Sequence, residues 1–332
     1  MGLINVFIES LGQILSPVTA AFALAAIGLN VHFGYTGLLN FGQAGFVAVG
    51  AYGFAIPVVH FGAPWPVGLL TAMVAALIFA ILLGIPTLRL RGDYLAIVTI
   101  ASAEIFRYTV NSSLFVDYTG GAQGITNNAA LGTDYSSGLA RFNPFDPGRI
   151  SIGPWTVTTS ALWWSIVTWV VVGAVAGTLW VLMRSPWGLT LKGVREDQDA
   201  MRSLGKNVTS IKMQALIIGG LIGALAGVLF VLPTSVFPPD YATRMTFNLY
   251  TIVLLGGAAT ILGPVVGSII FWVLLQLTDR VITLGSASGV LSFFQDPAQL
   301  RYVLVGLALV LLIFFRPQGI MGDRKELSFA QT

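Results

Sequence analysis

The chain has 332 residues, of which 55% are apolar and only 9% charged, against roughly 25% charged in a soluble domain; this balance excludes a soluble globular protein and points to repeated membrane crossings. The net charge of +3 does not argue for nucleic-acid binding, because most basic residues sit in short polar loops and the C-terminal tail, where membrane topology accounts for them. The absence of cysteine excludes disulfides, thiol catalysis and Cys-ligated metals, and His32 and His60 are too far apart for a metal motif.

The first thirteen residues are mostly apolar and read as an interfacial helix, without the basic start and small-residue cleavage site of a signal peptide. Nine candidate spans follow, at 14–33, 38–59, 66–87, 94–113, 161–183, 213–232, 247–261, 265–282 and 301–315, on the rule that about 20 apolar residues cross a bilayer core. The expected fold class is therefore all-α, a polytopic bundle of about nine spans with Gly-broken helices, in one transmembrane domain over 1–322 and a tail over 323–332.

Several spans are more than lipid-facing helices. The second carries Gly37, Gly42, Gly45, Gly50 and Gly53, with polar Asn40 and Gln43 near one end. Glycines allow close helix packing; the alternative is a broken helix beside a translocation path, since irregular backbone at membrane depth is tolerated only inside protein or beside water. The fourth holds Glu104 and Arg107, three residues apart and so on one helix face. An intramembrane ionisable pair marks a functional site or a structural tie between helices. Beyond it, Thr119-Gly120-Gly121-Ala122-Gln123-Gly124-Ile125 reads as a tight turn at the mouth of a pathway, within a long polar segment over 114–160.

Residues 184–212 form a polar island between two apolar runs, holding six of the seventeen Lys and Arg residues and three acids. Such basic density marks a cytoplasmic loop. Charges at Arg195, Glu196, Asp197 and Asp199 precede Ala200, and Leu204-Gly205 follows, a pattern that fits a short helix stopped by the glycine. A helix over 194–204 would set Arg195, Asp199 and Arg202 on one side. The loop is either a solvated topology determinant or a helix that plugs into a cytoplasmic partner. The seventh and eighth spans contain Gly256-Gly257 and Gly263-Pro264, and that Gly-Pro dipeptide reads as a sharp inner turn between two short helices. With 184–212 inside, parity also puts 89–93 and the tail inside and 114–160 outside. No P-loop, zincin or nucleophile-elbow motif is present, which argues against ATP binding by this chain and against an intramembrane enzyme.

These residues carry a resemblance. The run 34–46 with Gly50-Ala51-Tyr52, the run 88–99 followed by Glu104-Ile105-Phe106-Arg107 and Thr119-Gly120-Gly121, the loop from Ser185-Pro186-Trp187-Gly188 to Lys212, and Leu255-Gly256-Gly257 with Gly263-Pro264 together resemble the permease subunits of branched-chain amino acid ABC importers, of the LivM type. Many relatives have a His-Ala pair where this chain has Gln43-Ala44, and some have additional spans before the first one here. The resemblance implies a multi-pass protein of the inner or plasma membrane with a cytoplasmic C-terminus, no cofactor of its own, and no catalysis. Implied partners are a second similar permease, two cytoplasmic ATPases that hold ATP and Mg, an extracytoplasmic binding protein and membrane lipid. It further implies that Arg195, Glu196, Asp197, Ala200, Leu204 and Gly205 belong to a helix that couples to the ATPase. Asn40, Gly42, Gln43, Gly45, Thr119, Gly120 and Gly121 remain candidates for the pathway or a broken helix. A urea or short-chain amide importer permease and, from another class, an ion-coupled transporter or channel are the alternatives; the latter would leave the 184–212 loop without a partner.

Overall fold

The computed structural model describes residues 7–8, 10–88, 92–128, 132–152, 155–287, 306–307, 310 and 318–322. Its longer elements are helices: α1 (Pro17–Asn30), α2 (Gln43–His60), α3 (Trp65–Thr87), α4 (Gly92–Asn111), α5 (Thr159–Arg184), α6 (Pro186–Glu196), α7 (Gln198–Ser203), α8 (Val208–Val231), α9 (Thr243–Gly256) and α10 (Gly263–Ala287). Among the described residues, six helical stretches are long and apolar enough to cross a membrane: Pro17–Tyr35, Gln43–His60, Trp65–Thr87, Thr159–Arg184, Val208–Val231 and Gly263–Thr283. The protein is a polytopic helical membrane protein, as its composition requires.

Residue size, more than polarity, sorts the helices into centre and rim. α1 is buried from Thr19 to Asn30, and it packs against α8, α10 and α5. A helix that is apolar all round belongs in the interior, and the alanines and glycines of α1 let its neighbours come close. Gly219 of α8 faces the Gly28 carbonyl of α1 so tightly that a β-carbon there would strike that oxygen and the His32 ring. α3 shows the rim pattern. Its buried face is Gly68, Ala72, Ala76, Ala80 and Gly84, one small residue every four, which forms a flat ridge for α2 and α8. Its opposite face presents Leu70, Ile78, Leu82 and Ile85, apolar and large, as a lipid contact demands. α5 repeats this, burying Trp164, Thr168, Val172 and Ala176 at four-residue steps and exposing Val170 and Val181.

Two expected spans take other forms. The 247–261 stretch is α9, whose 14 residues reach only about 21 Å, short of a hydrocarbon core of ~30 Å. It ends at Gly256, and the chain turns through 257–262 before α10 begins at Gly263. The Gly263-Pro264 pair therefore opens α10, and the turn lies just ahead of it. α4 is a continuous helix of 20 residues whose apolar run is broken by Glu104 and Arg107, and it is not among the six. The span expected at 301–315, the 89–91 part of the loop and the tail over 323–332 lie wholly or largely outside the described residues.

The 114–160 segment is structured. Ile125 and Val236 exchange both backbone hydrogen bonds at 3.0 Å, and the Tyr135 hydroxyl donates to the Thr234 carbonyl at 3.0 Å, so the segment folds down over the end of α8. The segment also holds a two-stranded antiparallel ladder, β1 (Arg149–Ile152) with β2 (Trp155–Thr158), in register Arg149↔Thr158. The Trp155 indole donates to the Ile8 carbonyl at 2.6 Å and ties the chain's beginning to this hairpin.

Candidate functional site

Between α1 and α2 the backbone is irregular yet buried. α1 runs on into a π-helical turn, Val31–Tyr35, a widening that is rare and recurs at functional sites. Residues 37–42 then carry no helix before α2 starts at Gln43. Unpaired backbone in such a place must find partners, and polar side chains supply them. Asn40 donates to His32 Nδ1 at 3.0 Å and to Gln43 Oε1 at 3.4 Å, while its own oxygen accepts from Gly42 N–H at 2.9 Å. His32 Nε2 donates in turn to the Leu216 carbonyl of α8 at 3.1 Å. Gln43 donates to the carbonyls of Ala25 in α1 and Gly219 in α8, both at 3.3 Å. The orientation is self-consistent: a neutral imidazole protonated on Nε2 accepts at one nitrogen and donates at the other. The knot joins α1, α2 and α8 with no group in it exposed.

The second irregular turn is held by the same region. The Asn30 side chain accepts from Ala259 N–H at 2.9 Å and donates to the Thr260 carbonyl at 2.7 Å, which clamps the 257–262 turn against the end of α1. On its far side, Ile320 and Met321 donate to the Leu255 and Gly256 carbonyls at 3.0 and 2.8 Å, satisfying acceptors that the end of α9 leaves open. Gly45 lies one turn into α2, against Ala103 of α4. Phe41 N–H donates to Thr99 Oγ1 at 3.0 Å.

Glu104 and Arg107 form an ion pair, with Nε and Nη2 both 2.7 Å from one carboxylate oxygen. The other oxygen accepts from Thr243 N–H at 3.0 Å and from Thr243 Oγ1 at 2.6 Å. Thr243 is the first residue of α9. A carboxylate therefore sits on a helix N-terminus, where open N–H groups and the helix dipole favour negative charge.

α6 and α7 make up the loop between α5 and α8. They are not one helix over 194–204. Asp197 is extended, with φ −150° and ψ 108°, and its side chain caps α7 by accepting from Asp199 and Ala200 N–H at 2.8 and 3.0 Å. The break separates Arg195 from Asp199 and Arg202, which pair with each other at 2.7 Å on the surface. Gly205 stops α7: at φ +77°, its N–H reaches the Arg202 carbonyl at 2.9 Å and Lys206 N–H reaches Met201 at 3.1 Å, a Schellman closure. One face of α6 is buried, through Gly188, Leu191 and Val194. Side chains brace the pair to α8, with Trp187 donating to Gln214 at 2.8 Å and Lys212 to Gln198 at 2.7 Å. Arg195, Glu196, Asp197, Ala200, Leu204 and Gly205 are all exposed. The stem of Arg195 lies over Gly37, in the irregular turn that leads to Asn40.

Thr119, Gly120 and Gly121 do not join this group. They lie at the other end of α4, where Gly120 at φ +71° ends a short helical turn and Gly121 N–H donates to Thr119 Oγ1 at 3.2 Å. The structure thus brings Asn40, Gly42 and Gln43 together near α6 and leaves 119–121 apart. It adds Asn30 and His32, isolated polar residues in an apolar run whose partners are up to 230 residues away, so no local pattern announces them. It also adds a cavity of about 510 Å³ by Asp240 and Arg244.

The family model described as branched-chain amino acid transport system / permease component matches residues 14–313. The high-affinity branched-chain amino acid transport system permease protein LivM of Escherichia coli K12 is 30% identical over 321 residues, 95% of this chain and 71% of that protein. The probable branched-chain amino acid transport permease protein LivM of Methanocaldococcus jannaschii is 25% identical over 338 residues, 91% of each chain. The autoinducer 2 import system permease protein LsrC of Escherichia coli O9:H4 is 27% identical over 157 residues, 46% of this chain and 42% of that protein. No solved structure matches the chain. A match over nearly the whole helical bundle, including both irregular turns and the α6–α7 element, means that the chain belongs to the family of permease components of branched-chain amino acid transport systems.

Proposed function

We propose that this chain and a second, similar permease enclose the membrane path of an ATP-driven importer for branched-chain amino acids. Two cytoplasmic ATPases, which carry the ATP and Mg sites, drive the pair of permeases, one of them docking on α6–α7 of this chain, and an extracytoplasmic binding protein delivers substrate to the opposite face. The C-terminal tail then lies in the cytoplasm. The observation that carries this reading is α6–α7 itself. It is polar and wholly outside the bundle on one face, yet it is capped at Asp197, closed at Gly205 and braced to α8 at two points. A loop that only set topology would need none of these ties.

The contacts also supply a route for coupling. A shift of α6 moves the Arg195 stem on Gly37, three residues from Asn40. The Asn40–His32–Gln43 knot then passes the shift to α1, α2 and α8 together. Closely packed helices switch between discrete arrangements, and the ATPase states need only favour one of them. Asn40, Gly42, Gln43 and Gly45 act in this scheme as the hinge of the pathway, and 119–121 as a turn at its outer mouth.

The test is ATP-dependent uptake of leucine by vesicles that hold the assembled complex, with loaded binding protein outside. Uptake that requires ATP and the ATPases is the expected result. Leucine uptake driven by an ion gradient without the ATPases, or ATP-driven uptake of urea in place of leucine, would overturn the reading.

A further inference from the structure

The cavity of about 510 Å³ lies at the end of the bundle away from α6–α7, separated from it by the 24 residues of α8, about 36 Å of helix. It opens between the first turns of α1, the end of α8, the Pro238–Tyr241 turn, the start of α9 and the middle of α10. Its size is that of a small-molecule site, roughly 300–1,000 Å³. Among the described residues that line it, two are charged, and they have opposite signs: Asp240 and Arg244. Both are exposed, with Asn248 one helical turn beyond Arg244. The facing wall is aromatic. Phe22 meets Trp272 edge-on with ring centroids 5.0 Å apart, and Phe230 at 6.0 Å.

We infer that this cavity receives a free zwitterionic amino acid, with Arg244 taking the α-carboxylate, Asp240 the α-ammonium and the Phe22–Phe230–Trp272 wall the apolar side chain. A guanidinium fork matches a carboxylate in a bidentate way, and Asp240 and Arg244, which act on each other across the cavity rim, are the two charges among the described residues of its wall, one for each end of the ligand. Desolvation pushes the Asp240 carboxyl up from the usual carboxylate range and Arg244 pulls it down; an incoming ammonium group acts in the same sense as Arg244 and favours the ionised form. The position of Arg244 is fixed from behind, because Glu104 holds Thr243, the residue before it. The inference rests on the importer reading above and adds the place where delivered substrate first meets this chain.

The cysteine-free sequence makes the test direct. In the assembled complex, a Ser235→Cys variant places one thiol on the cavity wall, and its rate of maleimide labelling reports occupancy. L-leucine should slow labelling, whereas its decarboxylated amine and its deaminated acid, each with one charge, should do so only at much higher concentration. Adding Arg244→Gln or Asp240→Asn should raise the leucine concentration for half-protection by about tenfold or more, the worth of one charge-assisted contact. Arg244→Lys, which keeps the charge but loses the fork, should fall between. If the complex takes up leucine with ATP while labelling stays the same at every leucine concentration, the cavity is not on the path and this inference falls, leaving the importer reading intact. If urea protects the thiol as well as leucine does, the charge assignment is wrong.

Discussion

Glu104 uses both carboxylate oxygens, one on Arg107 and one on the first residue of α9. These contacts tie α4 to the first residue of α9, so Glu104→Gln should lower stability without changing which amino acids pass. A hydrogen bond to a charged group contributes about 1.5–3 kcal/mol, and the glutamine keeps an acceptor oxygen for only one of the two partners, its NH2 group facing the donors of the other. The expected loss is therefore about 1.5–3 kcal/mol, read as a lower thermal midpoint of the purified complex. Normal stability with an altered ranking of competing amino acids would place Glu104 on the pathway instead. The pair with Arg107 is legible from the i, i+3 spacing alone. The contact with Thr243 is not, because 139 residues separate the partners and nothing local marks a threonine as a helix start waiting for a carboxylate. Likewise Asn40 and Gln43 stand out as polar residues in a glycine-rich span, but His32, which completes their network, looks like any lone histidine.

At the scale of elements, the glycines divide into two kinds that the sequence cannot separate. Gly50 of α2 faces the Ala224 backbone of α8, with no room for a β-carbon, whereas Gly173 of α5 has nothing within 4 Å of where one would stand. Gly50→Val should therefore cost about 1–3 kcal/mol through overpacking and reduce the monodisperse peak on size-exclusion chromatography, while Gly173→Val should leave it unchanged. Equal loss for both would mean that Gly173 is covered by a partner in the complex. The span pattern was readable because a 20-residue apolar run has few other fates. The half-length of α9 was not, because 247–261 is apolar enough for a span and its end depends on the Asn30 clamp and the 318–322 strap. The break between α6 and α7 has a local cause that periodicity misses: an aspartate can bond the N–H groups ahead of it and start a new helix. Asp197→Ala should cost about 1 kcal/mol of local stability and speed amide exchange in 198–203, with exchange in α8 unaffected.

At the scale of the whole molecule, the proposed function implies an orientation. Single cysteines introduced by Lys192→Cys and Arg324→Cys should react with an impermeant maleimide only from the cytoplasmic side, and one introduced by Arg141→Cys only from outside; outside labelling at the Lys192 position would invert the arrangement. The central claim is that ATP is coupled to transport through α6–α7, and Ala200 probes it directly. It is exposed on α7, its N–H is already held by Asp197, and its side chain can be enlarged without disturbing the bundle. The deciding measurement is ATP hydrolysis by reconstituted complex, with and without loaded binding protein, for the natural chain and for Ala200→Arg. The account predicts that the variant inserts, assembles with its partner permease and keeps the binding protein's docking face, yet loses the stimulation of ATP hydrolysis by loaded binding protein. Full stimulation in Ala200→Arg, and again when 195–200 are all replaced by glycine, would contradict it.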